Sequence, residues 1–222
     1  MPRPTGSRRS AAPSRLDRLG SFLRDSSLTL TLLGLFLVCL AATFAMGFEL
    51  YREQHGTPHQ TFIGYLTTGT FLNAIVVNCQ AAILQLACLI IFGVFLVQRG
   101  ATHSRKSTSR NRDLGGAALS TWFHRNSLGL AFVCTFLVAF VLHVITGLWA
   151  YNEQRALTHD PPLSLGAFVL SWKLWFMTFQ TWQAEFFAIG FYMVLSIVLR
   201  QAGSPESKPV KASNSETGEA NR

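Results

Sequence analysis

Residues 127–154 read SLGLAFVCTFLVAFVLHVITGLWAYNEQ, and residues 27–54 read SLTLTLLGLFLVCLAATFAMGFELYREQ. Each begins Ser-Leu, runs through an apolar stretch and closes on Tyr-x-Glu-Gln, one hundred residues apart. Leu28 to Phe48 carries no charge, and Ser127 to Ala150 carries only His143 as a titratable group. A helix needs ~20 apolar residues to cross the hydrocarbon core of a bilayer, and both stretches are long enough. Two more runs follow the same rule. Phe71 to Val97 is uncharged, and Leu174 to Leu199 carries only Glu185. A soluble bundle would need a polar face on each helix, and these runs have almost none. The sequence therefore predicts an all-α, polytopic membrane protein with four transmembrane helices. The lipid bilayer is its first partner.

Further matches extend the pairing. Phe36-Leu37-Val38 aligns with Phe136-Leu137-Val138, and Gly47 with Gly147, at the same offset. After a small insertion the offset becomes 103, where Gln80-Ala81 meets Gln183-Ala184 and Gly100 meets Gly203. Each half is then one two-helix unit, out and back. An even number of spans gives the copy the same orientation, so the chain reads as a tandem parallel repeat with a pseudo-two-fold axis along the membrane normal. The predicted boundaries are a basic disordered tail at 1–23, repeat 1 at 24–100, a basic linker at 101–122, repeat 2 at 123–203 and a disordered tail at 204–222. These polar segments are rich in Ser, Arg, Gly or Pro, and such composition buries too little apolar surface to order itself. Removing the tail beyond Lys208 is expected to cost little.

Charge sets the orientation. Of 19 Lys and Arg, sixteen lie within or just beside the first tail, the linker and the last tail (residues 1–27, 99–125 and 200–222), and the loops hold only Arg52, Arg155 and Lys173. This is the positive-inside pattern. Both termini and the linker are expected in the cytoplasm, and the two Tyr-x-Glu-Gln loops outside. That distribution also accounts for the net charge of +8 without a nucleic-acid partner. The first apolar run is longer than a signal-peptide core, so it reads as a retained span. Cys39, Cys79, Cys88 and Cys134 all sit in apolar runs with no C-x-x-C spacing. They read as small packing residues, with neither a disulfide nor a metal site.

Tyr51, Glu53, Gln54, Tyr151, Glu153 and Gln154 form the outer-face motif. Tyr suits the membrane interface, and Trp149, Trp172, Trp175 and Trp182 would thicken an aromatic belt there. The short apolar patches Phe62 to Leu66 and Leu165 to Leu170 are expected to lie along the outer surface. Gly100 and Gly203 suit helix C-termini, where φ is positive.

Four fragments carry a resemblance: RNSL at Arg125 to Leu128, YNEQ at Tyr151 to Gln154, WQAEF at Trp182 to Phe186 and GSPESK at Gly203 to Lys208. Together with the doubled unit they resemble a bacterial family of small integral membrane proteins known only as a domain of unknown function. The resemblance covers about residues 22 to 210. It implies a bacterial inner membrane and no activity. The first half departs from the pattern, with Cys79-Gln80-Ala81-Ala82-Ile83 where a second W-Q-x-E-F would stand.

Intramembrane polar groups are costly and so are the functional candidates. On the fourth span Thr178, Thr181, Glu185, Tyr192 and Ser196 share one helical face, with Gln183 close by. The second span offers Asn78, Gln80 and Gln85. Such a stripe should face the protein interior, because lipid cannot satisfy it. Glu185 and His143 are placed at similar depth by residue counting, so the two are a candidate pair. One reading has these groups fix helix register, in a non-catalytic interaction or assembly role with a second copy or another membrane protein. The alternative is a small proton, ion or solute transporter using Glu185 and His143. Catalysis has little support. H-E-x-x-H, G-x-S-x-G and phosphate-binding Gly loops are missing, and a haem would need a second intramembrane His, whereas His55, His59 and His159 lie in loops. No cofactor is expected.

Overall fold

The computed structural model describes residues 15–56, 61–104 and 119–218. The expected tail at 1–14, most of the linker (105–118), His59 and the last residues, 219–222, lie outside the described residues. The chain is all-helical, with no strand among the described residues. In order the elements are α1 (Arg15–Asp25), α2 (Ser27–His55), α3 (Phe62–Leu66), α4 (Gly69–Phe95), α5 (Leu119–Arg125), α6 (Ser127–Leu157), α7 (Leu165–Val169) and α8 (Trp172–Val198). Four of them, α2, α4, α6 and α8, are long and apolar enough to cross a membrane.

The chain divides into two units, Met1–Phe62 and Ile63–Arg222. In the first, α1 breaks into α2 at Ser26, and α2 ends at Gly56 with φ 57°. The Phe62 ring then packs edge-on against Phe44 and Phe48, at 4.2 and 4.7 Å. In the second unit α4 packs against both α6 and α8. The contact at the start of α4 is very close. A Cβ on Gly69 would collide with the backbone of Trp149 and Ala150 and lie 2.7 Å from Trp149 Cβ. Only glycine allows that approach. Trp182 faces Phe136 and Phe140 of α6, at 6.1 and 6.3 Å between centroids.

Local structure matches across the two halves. The breaks at Ser26 and Asn126 have φ/ψ of −109°/13° and −108°/9°. Helices α4 and α8 both have 27 residues, and each follows a short helix and a hydroxyl cap. Thr68 accepts from Phe71 N–H, and Ser171 from Leu174 N–H. Both helices end in an extended residue, Leu96 or Leu199, whose N–H still reaches the helix. Gly100 and Gly203 follow, with φ of 85° and 79°. Ser104 Oγ accepts from Gln98 N–H at 2.7 Å, and Ser207 Oγ from Gln201 N–H at 2.8 Å.

The expectation of disordered tails needs correction on the described residues. Residues 15–25 are helical, and 199–218 fold as a run of turns over the segment after α4. The reason is that backbone polar groups, rather than apolar surface, hold this cap, and composition does not register them.

Candidate functional site

The buried polar centre is His143. It sits on α6, is fully buried and touches two other helices. Nδ1 lies 3.2 Å from Asn73 Oδ1 on α4, and Nε2 lies 3.1 Å from Thr178 Oγ1 on α8. The Thr178 hydroxyl donates its proton to Leu174 O at 2.9 Å. Its oxygen is therefore free to accept from Nε2–H, which leaves Nδ1 of the neutral ring as an acceptor. Asn73 matches that ring when it turns its amide nitrogen toward Nδ1, because the two ends of an amide are interchangeable in shape. Gly147, one turn along α6, makes room: a Cβ there would lie 3.2 Å from Asn73 Oδ1 and 3.3 Å from the Phe168 ring. Asn73 and Thr178 are the partners, and Asn73 was not among the candidates read from sequence. Its signal is present, as the first of four amides in an uncharged run.

Glu185 does not pair with His143. It lies seven residues beyond Thr178, about 10 Å further along α8 at 1.5 Å per residue. Counting residues from the helix ends misplaced the two because α6 runs on past the start of α4: its Glu153 reaches the first turn of α4. The Glu185 backbone carbonyl accepts from Gln85 Nε2 at 3.3 Å. Glu185 as a residue is half-buried, and its carboxylate makes no hydrogen bond or ion pair among the described residues. Thr181 turns back to Met177 O and Thr178 O. Gln80 is fully buried, with neither amide atom bonded. Asn78 and Gln183 are exposed, and Asn78 folds onto Ala74 O at 2.8 Å. So the expected stripe faces inward at Thr178 and Ser196, while Asn78 points outward, where its bond to its own helix satisfies one amide hydrogen.

The second Tyr-x-Glu-Gln motif has a definite task. Glu153 caps α4. Its carboxylate accepts from Gly69 N–H at 2.8 Å, Thr70 N–H at 3.1 Å and the Thr70 hydroxyl at 2.9 Å. The first N–H groups of a helix lack intrahelical partners, and an anion there also meets the positive end of the helix dipole. Asn152 pins the loop before α7, donating to Leu163 O at 3.1 Å and accepting from Leu163 N–H at 2.7 Å. Tyr151 lies against Phe168, with Arg155 and Lys173 each 5.8 Å from its ring centre. Gln154 is exposed. The first copy differs. Tyr51 stacks on His55 at 3.8 Å, Arg52 pairs with Glu49 at 3.3 Å, and Glu53 and Gln54 are exposed.

At the other end of α4 lies a site that the sequence reading missed. Lys208 is 2% exposed. Its ammonium donates toward four backbone carbonyls: Gly100 at 2.6 Å, Glu216 at 3.1 Å, and Ser213 and Asn214 at 3.3 Å. Burial, and then the neighbouring Arg200, push this ammonium below the usual lysine range, while Glu216 pulls the other way. Arg200 bonds Ile197 O and Leu199 O on its own side and Ala212 O and Asn214 Oδ1 in the tail. Thr217 and Gly218 close the cap on Gly100 and Ala101. His103 pairs with Glu206 across it. Lys208 stands in GSPESK, but nothing in composition separates a lysine enclosed by carbonyls from one in a solvated tail.

Residues 19–219 match a protein family described as Domain of unknown function (DUF6766). The chain belongs to that family. The DUF6766 match takes in the His143 bridge, the Glu153 cap and the whole Lys208 cap. No curated protein and no solved structure matches the chain. Among the described residues no three His, Cys, Asp or Glu side chains converge as a metal would require, and the four cysteines are free. This arrangement can join helices through neutral hydrogen bonds and hold helix ends by charge.

Proposed function

We propose that this protein is a multi-pass protein of the bacterial inner membrane, built from two tandem copies of a two-helix unit, with a non-catalytic interaction or assembly role. Its termini and linker lie in the cytoplasm and its Tyr-x-Glu-Gln motifs outside. The matched breaks, caps and positive-φ glycines support the duplication, and the charge asymmetry supports the orientation. The observation that carries the role is the His143 bridge. Both ring nitrogens are engaged by side chains of other helices, an arrangement that fixes register and leaves the ring without a free proton-accepting position. Bonds of this kind are worth about 1 kcal/mol each between membrane helices. A partner protein or a second copy would use a scaffold of this stiffness as a docking frame.

A second reading, a small proton or ion carrier, draws on Glu185 and Gln80. One is a half-buried residue whose carboxylate has no partner among the described residues, and the other has an unbonded buried amide. Reconstitution in liposomes containing a pH-sensitive dye separates the two. On the scaffold reading, wild type and Glu185→Gln give the same proton flux as empty liposomes, and His143→Leu lowers the melting temperature. A flux that Glu185→Gln abolishes without unfolding the protein would establish the carrier and overturn the scaffold.

A further inference from the structure

We propose that the groove between the second halves of α4 and α8 holds one acyl chain of a phospholipid, entering from the leaflet at the Lys208 end. The proposal rests on the membrane-spanning reading above. The two helices are tied at two levels. Gln85 Nε2 donates to Glu185 O at 3.3 Å, and Thr102 N–H donates to Ser196 Oγ at 3.4 Å. Between these ties lies an open space of about 560 Å³. That volume falls within the range of roughly 300–1,000 Å³ in which proteins bind small molecules.

Two glycines create the space. Gly93 and Gly190 both line it, and a Cβ built on either would meet no heavy atom within 4 Å. Small residues on membrane helices usually let backbones touch. Here they leave a gap. The walls are apolar, with Leu89, Phe92, Phe186 and Val194 among them, and the polar Gln98, His103 and Ser104 gather at one end. That order of polarity is the order within a lipid.

Length points the same way. Glu185 and Ser196 are eleven residues apart, about 16 Å along a helix. The hydrocarbon core is ~30 Å thick, so the groove spans one leaflet and closes near the midplane. A helix from a second copy would be ~10–12 Å wide and would run on past the Gln85–Glu185 tie, whereas an acyl chain ends there. At the polar end Arg99 is exposed and unpaired among the described residues. It adjoins Gln98 and supplies the positive charge that a lipid phosphate favours. His103 is already engaged by Glu206 and forms part of the wall.

Native mass spectrometry of the full chain, extracted from carbonate-washed membranes into detergent, tests this. The expected result is one phospholipid retained per wild-type chain, and rebinding of a long-chain phosphatidylglycerol after delipidation. The double variant Gly93→Leu/Gly190→Leu should lose the bound lipid while keeping its helical circular dichroism. If that variant does not fold, Val194→Trp fills the same groove from an exposed position and should lose the lipid too. A wild-type chain that holds no lipid, or a folded variant that holds as much, overturns the proposal. So does a lipid-free dimer that Val194→Trp splits, which would make a second copy the occupant. A chain absent from the washed membranes would sink the membrane reading itself, and it shows before any lipid is weighed.

Discussion

Helix α4 is held at its two ends by charges of opposite sign, each brought from elsewhere in the chain. At its start the Glu153 carboxylate of α6 takes two backbone N–H groups and a hydroxyl. Past its end the Lys208 ammonium of the tail takes the Gly100 carbonyl and three carbonyls of its own segment. The Glu153 carboxylate also has the sign that the helix dipole prefers, and both charges replace water with backbone. They differ in where the cost of failure falls. Around Glu153 the groups left behind are helix-end donors, on the buried Gly69 and the half-buried Thr70. Around Lys208 the enclosed group is the charge itself, on a side chain 2% exposed, and a buried charge without partners costs more than the bonds it loses.

Truncation after Lys208 should therefore have the largest effect. It removes the Ser213, Asn214 and Glu216 carbonyls from the ammonium, and Ala212 O and Asn214 Oδ1 from Arg200. A buried charge stripped of its partners typically costs about 3–5 kcal/mol, and part of this is recovered as water enters the broken cap. The truncated chain should still insert, because all four apolar helices remain, but it should melt well below the full chain in detergent. An unchanged melting temperature would mean that the cap contributes nothing to the fold.

That expectation reverses the one drawn from composition, and the reversal shows what is legible in this sequence. The long helices could be read because burial in lipid demands uninterrupted apolar runs, and charge flanks them. The positive φ of Gly100 and Gly203 could be read, but not as helix ends: α4 and α8 stop earlier, at Phe95 and Val198, and each glycine completes a separate turn four residues past the extended cap. Glu153 stands out because its motif is written twice, although its partner, the first turn of α4, cannot be seen from α6 alone. His143 stands out as a rare polar group in a span. Its pairing was misjudged because depth counted from a helix end ignores how far each helix overruns its neighbour. Lys208 gave no signal at all, since its partners are carbonyls that every residue carries.

Lys208→Met isolates the ammonium from the rest of the tail. The stem keeps its length and the four carbonyls lose a shared donor. Hydrogen bonds to charged groups are worth about 1.5–3 kcal/mol, so a loss of about 2 kcal/mol is expected, smaller than that of truncation. Limited proteolysis should show the tail cut beyond residue 208 in the variant and protected in the wild type. Equal protection would indicate that Arg200 and Thr217 hold the cap without the lysine.

Glu153→Gln should have the smallest effect. The amide oxygen can still accept from one of Gly69 or Thr70, but the amide nitrogen cannot accept from the other, and the negative charge at the dipole's positive end is gone. Loss of a helix cap costs typically ~1 kcal/mol, and the amide oxygen that still accepts keeps the figure near that value. Combining it with Lys208→Met tests whether the two ends act independently. Gly69 and Gly100 bracket α4, whose 27 residues span about 40 Å at 1.5 Å per residue. Sites that far apart should add to within about 0.5 kcal/mol. A double variant whose melting loss equals the sum of the two would show two separate clamps on one helix. A loss well beyond the sum would show that slack at one end is passed along α4 to the other, through the His143 bridge that lies between them.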